Sequence, residues 1–99
     1  MDKSIGIIIL AAGASTRLGQ PKQLLIYQEH SLIFNTLKVA VNSGCAPIVL
    51  VLGAYGDLIF PEVRNFPVKI VKNYDWQEGI NTSIKVGINT LKATQENVL

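Results

Sequence analysis

Apolar residues come along this chain in short blocks, and changes in their periodicity mark out the elements. From Ser4 to Ala11 the run is nearly continuous, with Ile5, Ile7, Ile8, Ile9 and Leu10 apolar on both faces of an extended chain. That pattern belongs to a strand covered on both sides, as in a parallel sheet between helices. Residues 12–30 lose it: Gly13, Gly19 and Pro21 break any period, and the segment reads as loop. Ser31 fits the N-cap of a helix to about Asn42, with Leu32, Ile33, Leu37, Ala40 and Val41 inward and Gly44 as its stop. Ile48 to Leu52 is a second short strand. Gly53 to Asp57 is a turn, and a short helical piece follows, whose start suits Pro61 better than its middle. Val68 to Val71 is a third strand and Asn73 to Gly79 a loop. Asn81 to Ala93 is a helix with Ile84, Ile88 and Leu91 on one face. Asn97, Val98 and Leu99 read as the beginning of a fourth strand.

The order β-α-β-α-β-α predicts an α/β fold with a mostly parallel sheet and right-handed crossovers. Ligands of such sheets sit at the carboxyl ends of the strands, near a topological switch point. The loops after Ala11, Leu52 and Lys72 lie at that edge.

Composition narrows the classes. Ninety-nine residues, 48% hydrophobic and 16% charged, make one small globular domain. The net charge of +2 comes from cations scattered between Lys3 and Lys92, which argues against a nucleic-acid partner. Cys45 is the only cysteine, so no internal disulfide forms, and a reducing, cytoplasmic setting is expected. No run approaches the roughly 20 apolar residues of a membrane helix. A signal peptide ending near Ala12-Gly13-Ala14 is disfavoured, because Asp2 cancels Lys3 and the isoleucine-rich run suits a buried strand.

The candidate chemistry concentrates in Leu10–Lys22, LAAGASTRLGQPK, directly after the first strand. Gly13 and the small Ala12, Ala14 and Ser15 let main-chain N–H groups approach an anion. Arg17 offers a planar fork of donors to phosphate oxygens, and Lys22 adds a compact charge behind Pro21. No Gly-Lys-Ser/Thr follows, so this is not a Walker A loop, and Ser15 stands where a dinucleotide fingerprint needs its second glycine. The competing reading is an ordinary strand-to-helix turn with two surface cations. Phosphoryl and nucleotidyl transfer need chiefly alignment and charge cancellation, for which Arg17 and Lys22 are suited.

Carboxylates for a metal are sparse. Asp57 and Asp75 follow strands and are placed to face the site, with a solvated turn or helix-cap role as the alternative. A second constellation, Asn73 to Ser83, leads into the N-terminus of the last helix, where free N–H groups favour anions. Gly79 permits close approach, and Asn81, Thr82 and Ser83 are small hydrogen-bonding residues able to read a base edge. A helix cap plus a packed Trp76 is the alternative. His30 reads as a surface loop residue, and the aromatic residues look scattered.

The two constellations together resemble a known family. Leu10-Ala11-Ala12-Gly13-x-Ser15-x-Arg17-x-Gly19-x-Pro21-Lys22 is similar to the signature of nucleotidyltransferases with a Rossmann-like domain. The short spacing from Arg17 to Pro21, and Asn73-x-x-Trp76-x-x-Gly79-x-x-x-Ser83, further resemble the molybdenum cofactor cytidylyltransferases. The resemblance implies a Rossmann-like three-layer α/β/α domain over residues 1–99, truncated after about three strands, the N-terminal portion of the usual domain. It also implies roles. Leu10, Ala11, Ala12, Gly13 and Ser15 would hold the nucleotide, Arg17 and Lys22 would serve as catalytic cations, and Gly79 and Ser83 would line the base pocket. CTP would donate CMP to the phosphate of the molybdopterin cofactor, releasing pyrophosphate. GTP, or a sugar-phosphate acceptor, is the alternative within the family.

Mg2+ is expected for the family, held by an aspartate in a Gly-Asp-x-Pro-like motif after the next strand. That motif does not occur in these 99 residues. Weak or absent turnover is therefore expected, with a non-catalytic nucleotide-binding or assembly module as a rival reading. Self-association through an exposed sheet edge and an apolar face is expected too.

Overall fold

A computed structural model of the chain describes residues 5–13 and 24–96. Five strands and three α-helices follow in order: β1 (Ile7–Ala11), β2 (Ile26–Tyr27), β3 (His30–Ser31), α1 (Leu32–Asn42), β4 (Ile48–Leu52), α2 (Gly56–Val63), β5 (Lys69–Lys72) and α3 (Ile80–Glu96). A single 3-10 turn, Trp76–Glu78, precedes α3. The main sheet is parallel, in the order β1-β4-β5, with Ile7 opposite Ile48 and Val49 opposite Lys69.

Side chains of β4 alternate between two cores, as a strand's period of two requires. Leu50 and Leu52 join Ala11, Ile33, Leu37, Ile59 and Val63 beneath α1 and α2. Val49 and Val51 join Ala12 on the opposite face, where Ile8, Leu10, Val86 and Leu91 pack. Every residue of β4 is buried, which is why its sequence is an unbroken apolar run. The three-layer α/β/α arrangement is thus present in the described residues.

α1 begins where its cap places it: Ser31 Oγ accepts from Phe34 N at 3.2 Å, and Ile33, Leu37 and Ala40 are buried.

Five expectations are corrected, in whole or in part. Residues 26–30, read as part of a loop, form the antiparallel hairpin β2–β3 together with Ser31. Its turn residues Gln28 and Glu29 both have positive φ, 54° and 75°, the pattern of a type I′ turn, and Asn35 of α1 donates to Tyr27 O at 2.9 Å to hold the hairpin down. His30 therefore lies in β3 rather than a loop. It stacks on Phe34 with centroids 4.1 Å apart, and Phe34 meets Phe66 edge-on at 5.0 Å, so these aromatic residues form a cluster.

Pro61 stands inside α2 rather than at its start. The position is exposed, so the helix carbonyl it leaves unpaired can be solvated. Finally, of the three α3 residues expected to face inward, Leu91 packs on the core but Ile84 and Ile88 do not. Ile84 and Ile88 are 37% and 42% exposed, while Ser83 and Gly87 are buried against the sheet. Small residues win those positions because α3 lies so close to β1: a Cβ on Gly87 would meet Ile8 Cγ2 at 2.6 Å. The fourth strand expected at Asn97–Leu99 lies outside the described residues.

Candidate nucleotide site at the carboxyl edge of the sheet

Parallel register brings the loops after β1, β4 and β5 to one edge, where they are joined by backbone hydrogen bonds. Ala54 N donates to Ala12 O at 3.3 Å, and Asn73 N donates to Leu52 O at 2.7 Å. The first two loops touch so closely that a Cβ on Gly53 would meet Ala12 O at 2.6 Å. α1 and α2 cover one face, whereas α3 returns across the other over β4 and β1. In open parallel α/β sheets ligand crevices lie outside the carboxyl ends of the strands, the edge these loops occupy.

Of the residues singled out in the first loop, Leu10 and Ala11 end β1, and Ala11 and Ala12 are buried at the edge. Gly13 is exposed, and a Cβ there would meet nothing within 4 Å. Ser15, Arg17 and Lys22 lie outside the described residues.

The second constellation is organised by Asn73, to which the sequence alone assigns no role. Asn73 is 1% exposed and satisfies its whole carboxamide. Its Oδ1 accepts from Asp75 N at 2.9 Å, and its Nδ2 donates to Thr82 Oγ1 and Ser83 Oγ, each at 2.8 Å. Thr82 Oγ1 lies 2.7 Å from Gly79 O and 3.1 Å from Asp75 O. One buried amide thus ties the end of β5 to the first turn of α3. The signal in the sequence is an asparagine directly after a strand, with hydroxyl residues nine and ten positions on.

Trp76 packs against the core cluster of Ala12, Val49 and Val51. Gly79 has φ +116°, which favours glycine, and its lack of a side chain leaves nothing on that residue to cap the amides of Ile80 and Asn81. Ser83 is buried at 3% exposure. The structure therefore brings Gly79 and Ser83 together around Asn73.

The two carboxylates considered for a metal do not converge. Asp57 is fully exposed and lies 3.8 Å from Lys72 Nζ, which also sits 5.4 Å from the Tyr74 ring centroid. An ion pair this exposed contributes little to stability. Asp75 is exposed as well, and its backbone takes part in the Asn73 network. Among the described residues no three of His, Cys, Asp or Glu come together as metal ligands. Asp57 and Asp75 do not fit a resident Mg2+. Cys45 is a free, partly buried thiol. Among the described residues no helix is long and apolar enough to cross a membrane.

Comparison with known proteins agrees with this architecture. The chain is 37% identical over 81 residues to nicotine blue oxidoreductase of Paenarthrobacter nicotinovorans, covering 81% of this chain and 40% of that protein. It is 33% identical over 86 residues to molybdenum cofactor cytidylyltransferase of Escherichia coli (strain K12), covering 86% and 44%. It is likewise 33% identical over 100 residues to 2-C-methyl-D-erythritol 4-phosphate cytidylyltransferase of Prochlorococcus marinus, covering 94% and 43%. The chain thus spans less than half the length of these curated relatives. The crystal structure of Rv0371c from Mycobacterium tuberculosis H37Rv superposes with a TM-score of 0.66 at 34% identity, covering 71% of this chain and 37% of that one. Residues 7–99 match the family described as the MobA-like NTP transferase domain, and the chain belongs to that nucleotidyltransferase family.

Proposed function

We propose that the carboxyl edge of the sheet binds a nucleoside triphosphate, CTP first, for transfer of CMP to the phosphate of molybdopterin. The observation that carries nucleotide binding is Gly13. Among the described residues no atom lies within 4 Å of where its Cβ would stand, so the backbone there is open to the close approach of a ligand. The cytidylyltransferase relatives favour cytidine as the base, and the molybdenum cofactor relative favours the acceptor.

In this reading Leu10, Ala11, Ala12, Gly13 and Ser15 hold the nucleotide, while Gly79 and Ser83 face its base. Arg17 and Lys22 cancel charge on the triphosphate and on the incoming phosphate. An acceptor phosphate oxygen forms a bond to the α-phosphorus, the bond from α-phosphorus to the bridging oxygen breaks, and pyrophosphate leaves.

Calorimetric titration of the chain with CTP, GTP and UTP tests the reading. CTP is expected to bind, and Gly13→Ala is expected to weaken it at least about fivefold without moving the melting curve. No heat from any triphosphate overturns the reading. Tighter binding of GTP redirects it to guanylyl transfer. A pyrophosphate-release assay with CTP and molybdopterin tests the acceptor. The identity to nicotine blue oxidoreductase favours one further reading, redox turnover on this fold, which a hydride- or electron-transfer assay separates from nucleotidyl transfer.

A further inference from the structure

The main sheet has two edges of different character. β5 carries Lys69 and Lys72, both exposed, and charges on an edge discourage another strand from pairing there. β1 has no such guard: no charged residue stands between Ile5 and Ala12, and among the described residues no strand lies on its outer side. One bond settles which backbone groups face outward. Ile7 N donates to Pro47 O at 2.9 Å, so Ile7, and with it Ile9 and Ala11, face β4. Gly6, Ile8 and Leu10 therefore turn their N–H and C=O groups to the open side. An apolar stripe runs along the same side. Val86, one residue before Gly87, packs on the cluster of Ala12, Val49 and Val51. Ile88, one residue after Gly87, takes the opposite flank of α3, because successive helix residues step by about 100°. In a sheet with right-handed crossovers that flank lies beyond β1. Ile84 and Ile80, one and two turns earlier, are exposed with Ile88.

We propose that β1 is the docking edge for a second copy of this chain, the two β1 strands pairing antiparallel about a two-fold axis at Ile8. Ile8 then lies opposite Ile8 of the copy, and Gly6 opposite Leu10 of the copy. In this register every outward N–H and C=O from Gly6 to Leu10 has a partner, whereas a shifted one leaves Gly6 or Leu10 out. The same axis brings the two α3 stripes together behind the joined sheet. Neither the edge nor Ile80, Ile84 and Ile88 carries a charge, so the self-contact opposes no like charges. Edge and stripe present on the order of 1,000 Å² over two copies, the lower end for a specific interface. The pair is accordingly weak and forms with rising concentration. Gly13 lies past the paired stretch, so the inference does not depend on the nucleotide reading.

The experiment is residue-resolved amide hydrogen exchange on the 99-residue wild type from about 5 to about 500 µM, with the mass followed by light scattering. The amides of Ile8 and Leu10 are expected to exchange freely in the dilute chain and to slow at least about tenfold as the mass doubles. Those of Ile7 and Ile9, already bonded to β4, are expected to slow far less. A monomer throughout the range overturns the proposal. So does a mass that doubles while Ile8 and Leu10 stay labile, because the copies then meet through another face or through the helices alone. A second measurement fixes the register. Opposed residues of such a pair have Cα atoms about 5.5 Å apart, within reach of a disulfide. With Cys45→Ser to remove the native thiol, Ile8→Cys is expected to cross-link under oxidised glutathione at least about tenfold faster than Lys69→Cys on the guarded edge. Equal rates in folded variants overturn the register at Ile8. If Ile8→Cys does not fold, the alternation of protection in the wild type decides alone.

Discussion

Gly87 of α3 lies so close to Ile8 of β1 that a Cβ on the glycine would fall 2.6 Å from Ile8 Cγ2. Two opposed effects meet there. Alanine in a helix interior gains about 1 kcal/mol over glycine, whereas forcing a methyl into a packed interface costs about 1–3 kcal/mol. Ile8 is β-branched and has little freedom at χ1, and Val51 Cγ2 closes the other side at 3.3 Å. Gly87→Ala is therefore expected to destabilise by about 1 kcal/mol, read from urea melts. The loss should shrink in an Ile8→Ala background, where the obstructing methyl is absent. A stabilised Gly87→Ala would show that α3 can move off the sheet.

The contact between Gly53 and Ala12 is less forgiving. The obstacle to a Cβ on Gly53 is the backbone oxygen of Ala12, with Ala12 Cβ at 2.7 Å. No rotamer change relieves it. Gly53→Ala is expected to cost about 2–3 kcal/mol and to part the first two exit loops. On the proposed function it should weaken CTP binding more than Gly87→Ala does, when both are compared by calorimetry well below their melting temperatures.

The β2–β3 turn carries strain. Gln28 and Glu29 both adopt left-handed φ, which costs residues with a Cβ about 1 kcal/mol or more each. Replacing the pair by Asn-Gly, the preferred type I′ sequence, should raise stability by about 1 kcal/mol or more. The check is a rise in the midpoint of thermal unfolding with the hairpin unchanged. A fall would mean that the glutamine or glutamate side chain contributes more than the turn geometry.

Self-association is expected through surfaces that the described residues leave uncovered. β1 has a strand neighbour on one side only among them, and Ile80, Ile84 and Ile88 form an exposed apolar stripe on α3. Light scattering in the micromolar range should give a mass above the monomer, and Ile84→Lys with Ile88→Lys should lower it. A monomeric wild type throughout that range would refute the expectation.

The parts of the fold legible in the sequence are those where one physical requirement dominates. Ile48–Leu52 is a continuous apolar run because both its faces are covered, and its boundaries agree with the structure. Ser31 stands before a periodic segment and caps α1. The inward face of α3 is not legible from periodicity, because burial there is set by distance rather than hydrophobicity. Gly87 goes inward where a larger residue would meet Ile8, Ser83 is buried one turn earlier, and Ile84 and Ile88 are left outside. The hairpin escapes a sequence reading because Gln28-Glu29 lacks the Asn-Gly signature, and two-residue strands show no periodicity. At the candidate site the sequence singles out Gly13, Gly79 and Ser83 by residue type. The part played by Asn73 is not legible, because it depends on which way its amide points.

The two pairings of the main sheet also close loops of different size. β1 and β4 are about twice as far apart along the chain as β4 and β5. Closing the longer loop carries an extra entropic cost of about 0.6 kcal/mol, so the β4–α2–β5 unit is favoured as the earlier assembly and β1 as the later arrival. In pulse-labelling hydrogen exchange the amides of β5 should gain protection before those of β4 that bond to β1. The exit loop of β1, where Gly13 sits, would then be added to a platform already standing, and the edge proposed to bind nucleotide would be finished last.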